Sequence, residues 1–158
     1  MHTPEPQSDA TPWPALLGDE PRVHFDVVVA WGEMDALGHV NNVAYFRYIE
    51  SARVDYLRRL GVWQREGRPE GFILQSASIR FRRPVFFPDT LRVSSKAEHV
   101  GEDRFTLAHT LRSVTRGEVV ALGQSVIVAY DYARAAKTPL PADLREAIRA
   151  LDGPGAGR

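Results

Sequence analysis

Polar and apolar residues alternate along the first patterned stretch of the chain, from Arg22 to Trp31. Side chains of a β-strand point in turn to its two faces, so regular alternation is typical of a strand with one buried face. The apolar face of this predicted strand comprises Val23, Phe25, Val27 and Val29.

The spacing of apolar residues changes to three or four positions beyond Asn42, which predicts an amphipathic helix. Asn41 or Asn42 can cap its start, because an amide oxygen can accept a hydrogen bond from an unpaired backbone N–H. Gly61 can end it, because glycine readily adopts the left-handed conformation that follows many helices. The predicted buried stripe comprises Tyr45, Phe46, Ile49, Ala52, Tyr56, Leu57 and Leu60.

Four further segments have strand-like patterns and are separated by short breaks. In the first segment we expect alternate residues to share the buried face. The last segment is apolar enough to lie in the interior of a sheet. The four segments are 72–83, 90–100, 104–115 and 118–130. The expected buried face of the first comprises Ile73, Gln75, Ala77, Ile79 and Phe81.

These elements predict one α+β domain over residues 22–151, with a five-stranded antiparallel sheet wrapped around one long helix. Residues 142–151 add a short C-terminal helix. Because a single helix covers such a sheet incompletely, we expect a dimer with one continuous sheet. The proline-rich residues 1–21 are interpreted as a disordered or loosely docked leader, and residues 152–158 as a flexible tail.

Composition narrows the possible partners. The 20 basic and 20 acidic residues give a net charge of zero, so we expect no nucleic-acid partner. The chain has no cysteine, which excludes disulfides and thiolate chemistry.

No apolar run approaches the ~20 residues of a membrane span, and we see no signal peptide, so we expect a cytoplasmic protein. No metal-ligand spacing or nucleotide-binding glycine pattern is present, so we expect neither metal nor cofactor.

The densest chemistry lies between the first strand and the long helix. Asp35, His39, Asn41 and Asn42 place a carboxylate, an imidazole and two amides within a few residues of a helix start. The unpaired N–H groups of a helix start can stabilise negative charge on an oxygen, while a carboxylate can act as a base or a nucleophile.

The order of elements and this motif together resemble the hotdog-fold acyl-CoA thioesterases of the 4-hydroxybenzoyl-CoA thioesterase-like family. The resemblance covers about residues 22 to 131. It is carried by Asp35-Ala-Leu-Gly-His-Val-Asn-Asn-Val-Ala-Tyr45, Tyr48-Ile-Glu-Ser-Ala-Arg53 and Ile79-Arg-Phe-Arg-Arg-Pro-Val-Phe-Phe-Pro-Asp89.

The resemblance implies a thioesterase that hydrolyses an acyl-CoA to a free acid and CoA, with CoA as part of the substrate. It implies that Asp35 is the catalytic carboxylate, either as general base or as nucleophile. It also implies that the helix start near Asn42 binds the thioester oxygen. His39 either transfers a proton or orients the loop. Plant acyl-carrier-protein thioesterases, which share part of the motif, have an asparagine where this chain has Leu37.

Substrate contacts are expected at a dimer interface beside the helix start. Tyr45 and Phe46 are predicted to line the acyl group, with Tyr45 also suited to the core. Arg82 and Arg83 are predicted to contact the phosphates of CoA, with a solvated sheet edge as the alternative. Self-association as a dimer or a tetramer is expected, and a carrier-protein thioester remains an alternative substrate.

Two other functions fit a hotdog fold. One is a non-catalytic acyl-CoA-binding module. The other is an enoyl-CoA hydratase, a class with an Asp-x-Asn-Pro-x-His pattern in which the histidine is five positions after the aspartate. Here Asp35 and His39 are four apart, with neither Asn nor Pro between them.

Overall fold

The architecture is a curved antiparallel sheet packed against one long helix. The computed structural model describes residues 23–63, 67–154 and 156; the predicted leader lies outside them. Among the described residues, no helix is both long and apolar enough to cross a membrane. The elements in chain order are β1 (Val23–Val28), a 3-10 turn (Trp31–Glu33), α1 (Asn42–Arg59), β2 (Glu70–Phe81), β3 (Thr90–Glu98), β4 (Arg104–Ser113), β5 (Val119–Asp131), β6 (Ala136–Lys137) and α2 (Leu144–Asp152).

All strand pairs in the sheet are antiparallel, and the strand order is β1-β3-β4-β5-β2 with β6 added beside β5. This confirms the predicted fold class, with β6 as a short sixth strand. The strand predicted to be interior, β5, pairs with both β4 and β2. β2 is at one edge of this order, and its end lies near the start of α1.

One face of α1 provides much of the core beneath the sheet. Burying each large apolar side chain contributes about 1.5–3 kcal/mol. The prediction for Phe46 was wrong, because its side chain is 43% exposed while Tyr48 is buried in its place. The buried residues of α1 are Ala44, Tyr45, Tyr48, Ile49, Ala52, Tyr56 and Leu57.

A β-bulge changes the facing of residues along β2. The register with β5 shifts between Leu74 and Ser76, so the residues before and after the shift follow different alternations. Phe72 packs on the core near α2, whereas Ile79 packs on the core near α1. Gln75 is exposed. The single buried face predicted for this strand was therefore wrong in its first half.

The C-terminal helix closes the far end of the core. Leu144 and Ile148 are fully buried there. The carboxylate of Asp152 accepts hydrogen bonds from the Tyr56 hydroxyl at 2.6 Å and the Ala97 N–H at 2.8 Å. The end of α2 is therefore fixed to both α1 and β3.

Candidate active site

A tight turn brings Asp35 and His39 together just before α1. The Asp35 N–H donates to the His39 carbonyl at 2.9 Å, and the Gly38 N–H donates to the Asp35 carbonyl at 3.0 Å. Gly38 has φ +82°, a backbone conformation that favours glycine. A bridge between Met34 and Val40 closes the base of the turn. The loop is thus held by its own backbone hydrogen bonds.

The two oxygens of the Asp35 carboxylate have different surroundings. Oδ1 accepts a hydrogen bond from the Leu37 N–H at 2.8 Å, as in many turns that begin with aspartate. Oδ2 lies 3.7 Å from Nδ1 of His39, which is too long for a hydrogen bond. The side chains of Asp35 and His39 are 28% and 35% exposed. One oxygen therefore shapes the loop, and the other remains accessible beside the imidazole.

The start of α1 presents a donor for negative charge. The Asn41 side chain accepts from the Val43 N–H at 2.9 Å, so Asn41 is the cap and Asn42 is the first helical residue. No described residue accepts a hydrogen bond from the Asn42 N–H. Because the helix dipole places partial positive charge at this end, a bound oxygen would be stabilised as it gains negative charge.

Glu33 fixes the loop to the helix and was missed by sequence reasoning, because an acidic loop residue carries no distinctive pattern. Its side chain accepts from the Tyr48 hydroxyl at 2.5 Å, the Ala30 N–H at 2.8 Å and Arg47 at 3.1 Å. Its carbonyl accepts from the Asn41 N–H at 2.8 Å. Glu33 therefore positions the helix cap relative to the strand before it.

A cleft of about 250 Å³ opens beside the helix start, between α1 and the end of β2. It brings together five of the seven predicted site residues, and it does not include Asp35 or Phe46. Asp35 adjoins the cleft through His39. Phe81 and Pro84 were not predicted as site residues, because nothing in a single sequence shows which strand end adjoins the helix start. Val40 was not predicted either, because an apolar loop residue carries no distinctive pattern. The lining residues are His39, Val40, Asn42, Tyr45, Phe81, Arg82, Arg83 and Pro84.

Tyr45 serves both the core and the cleft. It is only 2% exposed, and its ring packs edge-on against Phe81 with centroids 5.0 Å apart. Burial raises the pKa of the Tyr45 phenol to about 12, so the hydroxyl keeps its proton at neutral pH. Its aromatic ring and neutral hydroxyl both suit the wall of a pocket for an uncharged group.

The two arginines of the cleft follow directly after β2. Their backbone N–H groups both donate to the Val120 carbonyl, at 2.8 Å from Arg82 and 3.1 Å from Arg83. The Arg83 guanidinium lies 3.3 Å from the Glu118 carboxylate, and no acidic side chain of the described residues pairs with that of Arg82. The cleft therefore has a positively charged edge suited to an anion.

The described residues contain no group of three His, Asp or Glu side chains close enough to hold a metal ion. What the cleft and its loop offer is a carboxylate, an imidazole, a free backbone donor and arginines.

Comparison with known proteins places this geometry in a family. The sequence profile of the thioesterase-like superfamily matches residues 29–148. The chain belongs to the thioesterase-like superfamily. The match includes the loop, α1 and all of the cleft, so it covers the parts from which the candidate site is built.

Solved structures share this fold, and a curated relative shares part of the sequence. The PA2801 protein of Pseudomonas aeruginosa is 32% identical, with a TM-score of 0.74 over 82% of this chain and 99% of that one. A thioesterase from Thermus thermophilus, solved with coenzyme A and zinc, is 31% identical, with a TM-score of 0.73 over 84% and 96%. The long-chain acyl-CoA thioesterase FadM of Escherichia coli is 26% identical over 75% of this chain and 90% of its own length.

Proposed function

We propose that the protein hydrolyses an acyl-CoA thioester to a free acid and CoA at the cleft beside the start of α1. The observation that carries this proposal is the adjacency of three groups. His39, the free Asn42 N–H and the arginine edge line one opening, and the Asp35 carboxylate lies beside it, 3.7 Å from His39. These are groups that can activate an attacking oxygen, stabilise an oxyanion and bind a phosphorylated leaving group.

In the proposed reaction, the thioester oxygen binds at the Asn42 N–H. Attack on the carbonyl carbon places negative charge on that oxygen, where the helix start stabilises it. The C–S bond then breaks and CoA leaves as a thiolate, which takes up a proton from Asp35 in the general-base route or from water in the nucleophilic route. Asp35 Oδ2 either removes a proton from the attacking water or attacks the carbonyl itself to form an anhydride that water hydrolyses. His39, whose Nδ1 lies 3.7 Å from this carboxylate, either transfers a proton or orients the loop.

The relatives support both an acyl thioester as the substrate and coenzyme A as the group that carries the acyl chain. FadM is named a long-chain acyl-CoA thioesterase, and the Thermus thermophilus enzyme was solved with coenzyme A. The acyl group is proposed to lie along Tyr45 and Phe46, with a second copy of the chain completing the pocket. The unpaired edge of β2 and the exposed Phe46 beside the cleft support such a dimer.

Replacing Asp35 with Asn tests the role of the carboxylate. The amide oxygen can still accept the Leu37 N–H, so the loop should keep its shape. We expect kcat to fall by about 10²–10⁴-fold, the usual contribution of a general acid–base group. Thiol release from a panel of aliphatic and aromatic acyl-CoAs measures the rate, and thermal unfolding checks the fold.

Asp55→Asn is the matched control, since Asp55 has a similar exposure of 26% but pairs with Arg59 at 2.8 Å, away from the cleft. Its activity should equal that of the wild type. Near-full activity of the Asp35→Asn variant would contradict the assignment of this carboxylate. Binding of acyl-CoA by the wild type without thiol release would instead favour a non-catalytic binding module.

A further inference from the structure

A third arginine lies near the cleft, on the hairpin between β4 and β5. The Arg116 guanidinium lies over the Phe86 ring, 4.7 Å from its centroid. Phe86 in turn packs edge-on against His39, with ring centroids 6.1 Å apart. The Phe86 ring therefore lies between the Arg116 guanidinium and the His39 imidazole, which lines the cleft.

Glu118 lies between Arg83 and Arg116. Its carboxylate is 3.3 Å from Arg83 and 3.8 Å from Arg116. The side chains of Arg83, Arg116 and Glu118 are 63%, 42% and 32% exposed. Ion pairs at such exposure are weak, so an anion with more charge can compete with this carboxylate.

Hydrogen bonds to a buried carboxylate fix the β4–β5 hairpin, so the Arg116 backbone is held in position without a ligand. The buried Asp89 carboxylate accepts from the Ser113 hydroxyl at 2.6 Å, and the Ser113 hydroxyl oxygen accepts from the Arg116 N–H at 3.1 Å. Burial would raise the pKa of Asp89, but hydrogen bonds from Ser113, Thr115 and Thr90 outweigh it and hold that pKa below the ordinary value. The carboxylate therefore stays charged and keeps its role in the hairpin.

We propose that Arg116 and Arg83 form a subsite for the nucleotide phosphates of coenzyme A, and that Glu118 pairs with both arginines until a phosphate displaces it. This subsite rests on the proposed function, because it assumes that the thioester carrier is CoA. It makes Arg116 a substrate-binding residue that lies outside the loop and helix motif.

The chemistry of the three side chains favours phosphate over a carboxylate ligand. Each guanidinium presents a planar fork of donors that matches two oxygens of one phosphate. A terminal phosphate carries up to two negative charges, whereas Glu118 carries one. The cation–π contact with Phe86 restricts the Arg116 guanidinium, which reduces the freedom lost on binding.

Titration calorimetry with free CoA and pantetheine tests this subsite without any hydrolysis. We expect the wild type to bind CoA more tightly than pantetheine. Arg116→Ala should weaken CoA binding on the order of tenfold, as expected for loss of a hydrogen bond to a charged group. It should leave pantetheine binding unchanged. Glu118→Gln should bind CoA at least as tightly as the wild type, because no carboxylate then competes.

Arg92→Ala is the matched control, since Arg92 has a similar exposure of 47% and pairs with Asp26 at 2.8 Å on the β1–β3 side of the sheet. It should bind CoA as the wild type does. Equal weakening of CoA and pantetheine by Arg116→Ala would overturn the subsite, as would weaker CoA binding by Glu118→Gln. A loss of affinity for a pantetheinylated carrier protein alone, with CoA unaffected, would also overturn it. Because free CoA is the probe, these outcomes are independent of whether the Asp35 assignment holds.

Discussion

At the scale of single residues, His109 illustrates how a buried polar group is satisfied. It is completely buried on β4, with Nδ1 2.9 Å from the Ser95 hydroxyl and Nε2 3.0 Å from the Ser125 hydroxyl. Arg53 donates to the same Ser125 oxygen at 3.3 Å. Because arginine only donates, the Ser125 hydrogen is free to reach Nε2. Nδ1 then carries the imidazole hydrogen and donates it to Ser95.

This arrangement predicts an acid-sensitive core. Burial, and then the charge of Arg53, lowers the pKa of His109 to about 3, compared with ~6.5 in an unfolded chain. As the pH falls below ~6.5, the unfolded chain takes up a proton that the folded chain refuses, so stability decreases until the folded pKa is reached. Between pH 6.5 and 5 we expect this residue to cost about 1–2 kcal/mol.

Urea unfolding of wild type and His109→Gln at pH 7.5 and pH 5 measures the effect. The Gln variant should be less stable at pH 7.5 but should lose less stability on acidification. His99→Gln, at an exposed position, serves as the control and should follow the wild type. An identical loss in wild type and His109→Gln would show that His109 does not titrate in the unfolding equilibrium.

At the scale of elements, local residue patterns predicted the long strands and the helices but not the irregularities within them. Alternation and helical spacing located all five long strands and both helices. They did not locate the bulge near Gln75, because one inserted residue leaves the composition of a strand unchanged. They also placed Phe46 in the core instead of Tyr48, because the Tyr48 hydroxyl is compensated by Glu33, which lies outside the helix.

The contact between α1 and β5 depends on Gly123. A Cβ at this position would lie 2.5 Å from Cδ1 of Ile49. Gly123→Ala should therefore destabilise the fold by about 1–3 kcal/mol through overpacking. Ile49→Val removes that methyl group and alone should cost about 0.5–1.5 kcal/mol.

The two substitutions should compensate each other because they act on the same contact. In a double-mutant cycle measured by urea unfolding, we expect the combined variant to lose less unfolding free energy than the sum of the losses in the two single variants. Thiol-release rates should follow the same order, since α1 carries the Asn42 donor. Additive effects would mean that α1 does not rest on Gly123 through Ile49.

At the scale of the whole molecule, the candidate site combines segments that are distant in the chain. The motif around Asp35 is local, so a single sequence can show it. Phe81, Pro84 and Arg116 reach the same region only because β2 ends beside the start of α1 and the β4–β5 hairpin lies over the loop. Their assignment to the site requires the sheet order, which residue patterns alone did not specify.

The sheet order also leaves one surface that a second copy of the chain can complete. Leu74, on the β2 edge, and Phe46, next to the cleft, are both 43% exposed. If two copies pair along this side, a charge at either position places an unpaired ion in the interface, which is strongly unfavourable. We therefore expect Leu74→Glu and Phe46→Glu to shift the mass in analytical ultracentrifugation from two chains to one.

Val28→Glu provides the matched apolar-to-acidic control, because Val28 is 74% exposed on β1, at the other end of the strand order. This variant should keep the mass and the activity of the wild type. The Leu74→Glu monomer should lose thiol release as well, because no second copy would complete the acyl pocket. A wild type that sediments as one chain, or a Leu74→Glu monomer with full activity, would show that one chain forms the whole site.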